Sequence, residues 1–497
     1  MAELKSALEI ASKRIIPSTY GDKLALEKIK IEKKDKQRRN SLPDFIREWE
    51  DLINTVDGDK SKEFEEIDMG SVMIEDNSSR LFDLDEIKRK QLGKKQKAEK
   101  AFIPAIETER TESLEFNKDA PEVHWYGHFT SYTGFSRMNR AMTFGLSNKG
   151  VRVQPDIQAS SVDINEATMD ELSILSNQNI SSTAPKVFGA TVPISMFHGG
   201  YKILYTMMET SQTLHKDYVE KLNFFDEIWV PTYHGQEMFK DNGICPPIHV
   251  MPLGVDIDRY NTNQKPYNFP FETKEFVFVS VFKWGLRKGY DALIQSYLEE
   301  FTNEDDTTLL LVSRVHSPHE KGKIMGEVKS LLSSYGIAPE KLPHIALMDS
   351  EIHERDMPKI YRACDAFVLL SRGEGFGLPY YEAAACGLPV IGTNCSGQSD
   401  LMNATDGAFV VDPDLMVQAK INGPLSGLAK HCKFYEDQYF PSFGRSAIDQ
   451  TREHMRYIYE DYEGALIKGE DLTQHVLSTC GWDVAVNNVY DRILELN

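Results

Sequence analysis

The chain has 497 residues, 41% hydrophobic and 27% charged, and its formal net charge is −20. This is ordinary globular composition, with length for several domains. The acid excess argues against a protein that coats nucleic acid, which needs a basic face; only a local basic groove stays open.

In chain order, residues 1–118 differ from the rest. They are rich in charge, with basic blocks 28-KIKIEKKDKQRR-39 and 88-KRKQLGKKQK-97 around an acidic stretch, 63-EFEEIDMG-70. The leading MAELKSALEIASKRIIPSTYG lacks the apolar centre of a signal peptide. In 44-DFIREWEDLI-53 the residues Phe45, Trp49 and Leu52 share one helical face. This stretch reads as a charged, partly helical extension, either solvated or a docking arm for a partner or acceptor.

From residue 119 the texture becomes strand, helix, strand, helix. Strand candidates are 122–127, 192–197, 202–207, 226–231, 247–254, 276–282, 307–313, 366–370, 388–392 and 408–412. Most are continuous apolar runs, as in parallel strands covered by helices on both faces. A polar, proline-bearing break at 257–275 separates two such sets. The expectation is an α/β protein of two Rossmann-like, doubly wound domains facing one cleft, with ligand chemistry in the loops after the strands. No run approaches the ~18 apolar residues of a membrane span. Six cysteines (Cys245, Cys364, Cys386, Cys395, Cys432 and Cys480) lie scattered without a CxxC pair. That fits a reducing compartment and argues against a zinc knuckle, so a cytoplasmic protein is expected.

Two strand-to-helix loops carry candidate chemistry. In 279-VSVFKWGLRKGYDALIQSY-297, Lys283, Arg287 and Lys288 follow a strand and precede a helix. Lysines there suit a pyrophosphate as point charges, or are surface lysines. In 366-AFVLLSRGEGFGLPYYEAAACG-387, a strand leads through Gly375 and Gly377 into a helix opened by Pro379 and ended by Gly387. The glycines permit close backbone approach, and free N–H groups around Leu378 make the helix mouth an anion site. Glu374 precedes the helix and Glu382 lies about a turn inside it, so they are no close acid/base pair. Either they grip two hydroxyl-bearing parts of one extended ligand, or Glu374 caps the helix and Glu382 is solvated.

Over residues 122–497 these segments resemble the family 4 glycosyltransferases, retaining enzymes of the GT-B fold. The resemblance is carried by the Glu374–seven residues–Glu382 motif, by 355-RDMPKIYRACDAFVLLSRGEGFG-377, and by 283-KWGLRKG-289 in place of the family's Arg-x4-Lys-Gly clamp. In the first half it is carried by 131-SYTGFSRMNRAMTFGLSNKG-150, 201-YKILYTMMETSQ-212, 226-DEIWVPT-232 and 252-PLGVD-256. It implies an acceptor domain at 119–262 and a donor domain at 263–481, with a last helix, 482–497, packing back on the first. Glu374 would hold the donor sugar's hydroxyls, helped by backbone at Gly375, Phe376 and Gly377, and Glu382 the ribose. Lys283 and Lys288 would neutralise the diphosphate. Gly134 marks the family's glycine loop and would bind the donor by close approach to its phosphate; Glu209 stands on the acceptor side, and His198, in FHGG, would touch the reacting sugar. No metal and no cofactor beyond the nucleotide-sugar donor are implied, and transfer would proceed by front-side attack. Two other readings stay open: the same donor chemistry on modified nucleic acid, and a non-catalytic docking protein with a transferase fold.

Overall fold

The computed structural model describes residues 120–131, 133–157, 164, 166–191, 200–313, 318–348 and 352–497. The extension 1–118, the strand expected at 192–197 and His198 lie outside the described residues.

The first half is built from β1 (Glu122–Gly127), α1 (Gly134–Asn148), β2 (Arg152–Ile157), α2 (Glu166–Ser176), β3 (Lys186–Gly189), β4 (Lys202–Tyr205), α3 (Lys216–Leu222), β5 (Glu227–Val230), α4 (Tyr233–Asp241) and β6 (Ile248–Val250). Its six strands run parallel in the order β2-β1-β3-β4-β5-β6. Pro155 in β2 costs no ladder because β2 is an edge strand.

The second half repeats the plan. It contains β7 (Phe276–Val281), α5 (Tyr290–Glu300), β8 (Thr307–Val312), α6 (Pro318–Ser334), β9 (His344–Met348), α7 (Met357–Arg362), β10 (Ala366–Leu369), α8 (Leu378–Ala385), β11 (Val390–Thr393), α9 (Ser399–Met402) and β12 (Phe409–Val411). These strands are also parallel, in the order β12-β11-β10-β7-β8-β9. Every residue of β8 and of β10 is buried, as a sheet covered on both faces requires. A two-stranded antiparallel sheet follows, β13 (Leu415–Gln418) and β14 (Tyr439–Ser442), with α10 (Ser426–His431) between its strands. Three helices close the chain: α11 (Arg445–Glu460), α12 (Tyr462–Thr479) and α13 (Trp482–Leu496).

The chain crosses between the halves twice, side by side. Val255 on the outward crossing donates its N–H to Cys480 O on the return, 2.8 Å away. A Cβ on Gly254 would lie 2.5 Å from the Trp482 Cα, so the two crossings touch through bare backbone. Past this point α13 packs on α1, where a Cβ on Gly145 would meet Val486 at 2.5 Å. Arg492 on α13 also reaches Glu227, a fully buried carboxylate at the start of β5, with hydrogen bonds of 2.6 and 3.0 Å.

Candidate functional site

The loops that follow β4, β7, β10 and β11 converge in one place. After β7 the chain makes a single 3-10 turn at Leu286–Lys288 and leaves it at Gly289, whose φ of 65° is left-handed. A Cβ there would sit 1.7 Å from Leu370 O, so only glycine lets the end of β10 lie against this turn. The turn and the glycine loop are then hydrogen-bonded together. Arg372 N donates to Arg287 O at 2.6 Å, and the Arg287 guanidinium donates back to Gly373 O. Arg372 is itself buried: its guanidinium grips both oxygens of Asp291 at 2.7 and 2.8 Å and donates to Leu286 O. A bidentate arginine fixes orientation as well as charge.

This coupling brings Lys288 to Glu374. The Lys288 ammonium donates to one carboxylate oxygen, and Arg287 Nη1 lies 3.5 Å from the other. Glu374 is only 6% exposed. Burial alone would raise its pKa, but the Lys288 and Arg287 charges outweigh that and hold the carboxyl below its ordinary value. Ser396, at a left-handed φ of 56°, clamps the backbone of Glu374 from both sides: its hydroxyl accepts from Glu374 N at 3.1 Å and donates to Glu374 O at 2.8 Å. The next residue adds Gly397 N to Glu374 O at 2.9 Å.

The first half supplies the fourth wall. Glu209, in the loop after β4, sets one carboxylate oxygen 3.6 Å from Arg287 Nη2 and accepts from Tyr435 Oη on the other at 3.0 Å. Arg287 therefore stands between two carboxylates, one from each half. The loops themselves touch: a Cβ on Gly373 would lie 1.8 Å from Glu209 O, and one on Gly375 2.4 Å from Met207 Cγ. Gly373→Ala is thus expected to push the two halves apart at this point. Faster amide hydrogen exchange in both loops would report it, and an unchanged exchange pattern would contradict the packing.

Beyond the glycine loop, Gly377 enters α8 at φ 95°, Pro379 occupies its first turn, and Phe376 stacks on Tyr381 with ring centroids 4.2 Å apart. Leu378 opens the helix and is buried. Glu382 does not meet the Glu374 cluster. It is buried beside α1, where Arg137 Nη2 lies 2.8 Å from Oε1 and Tyr361 Oη donates to Oε2 at 3.1 Å. Arg137 also holds Glu354 at 3.2 Å. A cavity of about 530 Å³ opens beside Arg137, lined among others by Arg140, Phe144, Arg259, His353 and Trp482.

The structure therefore gathers Glu374, Lys288, Arg287 and Glu209, and sets Glu382 apart with Arg137. Gly134 is the exposed first residue of α1, after the capping Thr133, with open space where a Cβ would point. Lys283 is exposed just past the end of β7. Sequence reasoning missed Arg137, Arg372, Ser396 and Tyr435. Arg372 carried a signal, being a basic residue inside the glycine loop; Ser396 becomes visible only when the loop after β11 lies against the one after β10, and Arg137 and Tyr435 only once the halves meet. Among the described residues no group of three or more His, Cys, Asp or Glu is placed to hold a metal. No described helix is long and apolar enough to cross a membrane.

Two doubly wound halves, joined by paired crossings and a returning last helix, with their strand-end loops meeting across a cleft, define the GT-B fold. Residues 273–422 match the family described as glycosyl transferases group 1. The mannosylfructose-phosphate synthase of Agrobacterium fabrum is 30% identical over 173 residues, 33% of this chain and 37% of that protein. The D-inositol 3-phosphate glycosyltransferase of Corynebacterium jeikeium is 27% identical over 233 residues, 45% of this chain and 54% of that protein. The chain thus matches about a third to a half of these relatives' length. Among solved structures, sucrose-phosphate synthase from Thermosynechococcus elongatus superposes with a TM-score of 0.53 at 12% identity, covering 76% of this chain and all of that one. A glycosyltransferase from Rickettsia africae gives 0.53 at 13%, covering 76% and 99%. Anabaena HepE in complex with UDP-glucose gives 0.50 at 12%, covering 76% and 100%. At such identities the likeness is one of fold.

Proposed function

We propose that this protein is a retaining glycosyltransferase that moves a sugar from a nucleotide-diphosphate sugar to a hydroxyl acceptor. The observation that carries the proposal is the Glu374–Lys288–Arg287 cluster at the mouth of α8, its carboxylate buried, built by hydrogen-bonding one strand-end loop to another. Two half-buried cations beside a helix N-terminus complement a diphosphate, and a buried carboxylate beside them complements sugar hydroxyls.

In this reading the diphosphate takes Lys288 and Arg287 from Glu374, and the freed carboxylate accepts hydrogen bonds from the sugar. Lys283, exposed at the same strand-end, adds a third positive charge. The cations and the N–H groups at the start of α8 stabilise the charge that grows on the departing diphosphate. The acceptor hydroxyl attacks from the face the diphosphate leaves, and its proton passes to the leaving phosphate oxygen. Diphosphate neutralisation is thus assigned to side chains and helix rather than to a divalent ion. Glu382 takes the ribose. Its Oε1 makes a charge contact with Arg137 but no well-aligned hydrogen bond, which leaves accepting capacity for a ribose hydroxyl. The cavity beside Arg137 is the room for the base. Gly134, at the open start of α1, leaves its backbone accessible for close approach by the donor. The Anabaena HepE complex holds UDP-glucose, and the Corynebacterium relative is named a glycosyltransferase, which supports the donor class.

The test is nucleoside-diphosphate release by the purified full chain from a panel of UDP-, GDP- and ADP-sugars with simple sugars, sugar phosphates and lipids as acceptors. Acceptor-dependent release with at least one donor, unaltered by EDTA and with the product anomer retained, is expected. No release and no nucleoside-diphosphate binding would overturn the reading.

A further inference from the structure

The module from β13 to β14 belongs to neither six-stranded sheet. It has a small core of its own, Ala419, Leu428, Ala429, Tyr435 and Phe440, onto which Leu286 of the cation-bearing turn packs. Just past it, the Phe443 ring lies 4.9 Å from the Arg372 guanidinium. The module is thereby fixed to the second half at the proposed donor site.

It also reaches the first half. Ser211 N donates to Tyr439 O at 3.1 Å, and Thr213 Oγ1 donates to Gln438 Oε1 at 3.4 Å. The Phe434 ring meets His215 and Tyr218 edge-on. In the middle, Tyr435 Oη donates to Glu209 Oε2 at 3.0 Å, while Glu209 Oε1 faces Arg287. Burial first, and then the Glu209 charge, hold the Tyr435 phenol above its ordinary value, so it stays a donor at neutral pH. The family match ends at residue 422, inside the module and before Tyr435.

We propose that the segment from Leu415 to Ser442 is an interdomain clamp over the sugar end of the donor site, with Tyr435 as a positioning residue. By binding one oxygen of Glu209, the Tyr435 hydroxyl turns the other toward Arg287 and keeps that guanidinium centred between Glu209 and Glu374. Released from Tyr435, Glu209 gains rotamer freedom, and Arg287 loses one of the two carboxylates that place it. The clamp then sets the shape of the space left for the transferred sugar. This inference rests on the donor reading above.

Tyr435→Phe tests it, because it keeps the ring in its edge contact with Phe440 and removes only the hydroxyl. With the donor that supports turnover, kcat is expected to fall roughly tenfold or more, while the nucleoside-diphosphate Kd from calorimetry stays within about twofold of wild type. A merely structural tyrosine would weaken nucleotide binding and turnover together. Glu209→Gln is expected to reproduce the loss, and the double variant to be no worse than the stronger single one, since both act through one relay. Turnover by Tyr435→Phe within about twofold of wild type, or additive losses in the double variant, would overturn the clamp. Absence of nucleoside-diphosphate binding by the wild-type chain would instead overturn the donor reading beneath it.

Discussion

Glu374→Gln is expected to lower kcat/KM for sugar transfer by roughly 10²–10³-fold, about 3–4 kcal/mol of transition-state stabilisation, while nucleoside diphosphate binds as well as before or tighter. The two halves of that expectation have separate causes. In the structure the carboxylate occupies Lys288 and lies near Arg287. A diphosphate must displace it, and a neutral amide competes less, so phosphate affinity holds or rises. The sugar meets the opposite change. Glutamine offers one accepting oxygen where glutamate offers two charged ones, and its amide presents donors to hydroxyls that need acceptors. The backbone of residue 374 is held independently by Ser396 and Gly397, so the loop keeps its shape when the charge is removed. Turnover near that of wild type would rule out the assigned sugar contact. Lost turnover together with lost nucleotide binding would point to a collapsed loop instead.

How much of this was legible in the chain depends on what a residue needs from far away. Continuous apolar runs such as 307–312 and 366–369 announce buried parallel strands, because their environment is the same on both faces. The strand candidates read from the sequence do not include β2, β3 and β9. β3 has four residues, β2 carries a proline that only its edge position excuses, and β9 begins with a histidine against a polar loop. The glycine loop and its helix were readable because Gly377, Pro379 and Gly387 act on their own backbone. Lys288 and Glu374 are 86 residues apart; the sequence expectation assigns both to one donor but not to each other, and they pair because β7 and β10 are neighbours and their following loops meet. Tyr435 and Glu209 are 226 residues apart and on different halves. No periodicity within either segment encodes how two domains close on each other. Arg137 is hidden for the same reason: on α1 it is one polar residue of an amphipathic helix, and only the opposing Glu382 and Glu354 give it a role.

Arg492→Met is expected to destabilise the fold by about 2–4 kcal/mol, more than the loss of a single exposed ion pair. Glu227 has no solvent exposure, and Arg492 supplies two of its hydrogen bonds. Trp229 Nε1 at 2.5 Å and Tyr201 Oη at 3.1 Å satisfy it further, but neither brings charge. Removing the guanidinium leaves a buried carboxylate with neutral donors and the His249 ring, 3.6 Å away and charged only when protonated, and the remaining protein bears its desolvation. Burial alone would raise the Glu227 pKa; the bonds from Arg492 and Trp229 outweigh it and hold the carboxyl below its ordinary value. In the wild type this stabilisation is therefore complete above the unfolded carboxylate value, about 4.3, and fades as pH falls through the lower, folded one. In Arg492→Met the sign reverses, because burial dominates and protonated Glu227 is the better-tolerated form. The gap between variant and wild type should be widest at neutral pH and narrow toward pH ~4, as measured by urea unfolding across that range. A pH-independent gap would mean that the variant loses only the packing of the arginine stem. Because Arg492 ties the returning helix to β5, and that helix begins where the two crossings touch, the same substitution should loosen the junction between the halves. Faster hydrogen exchange at Val255 would show that loosening, whereas exchange as slow as in the wild type would confine the role of Arg492 to the first half.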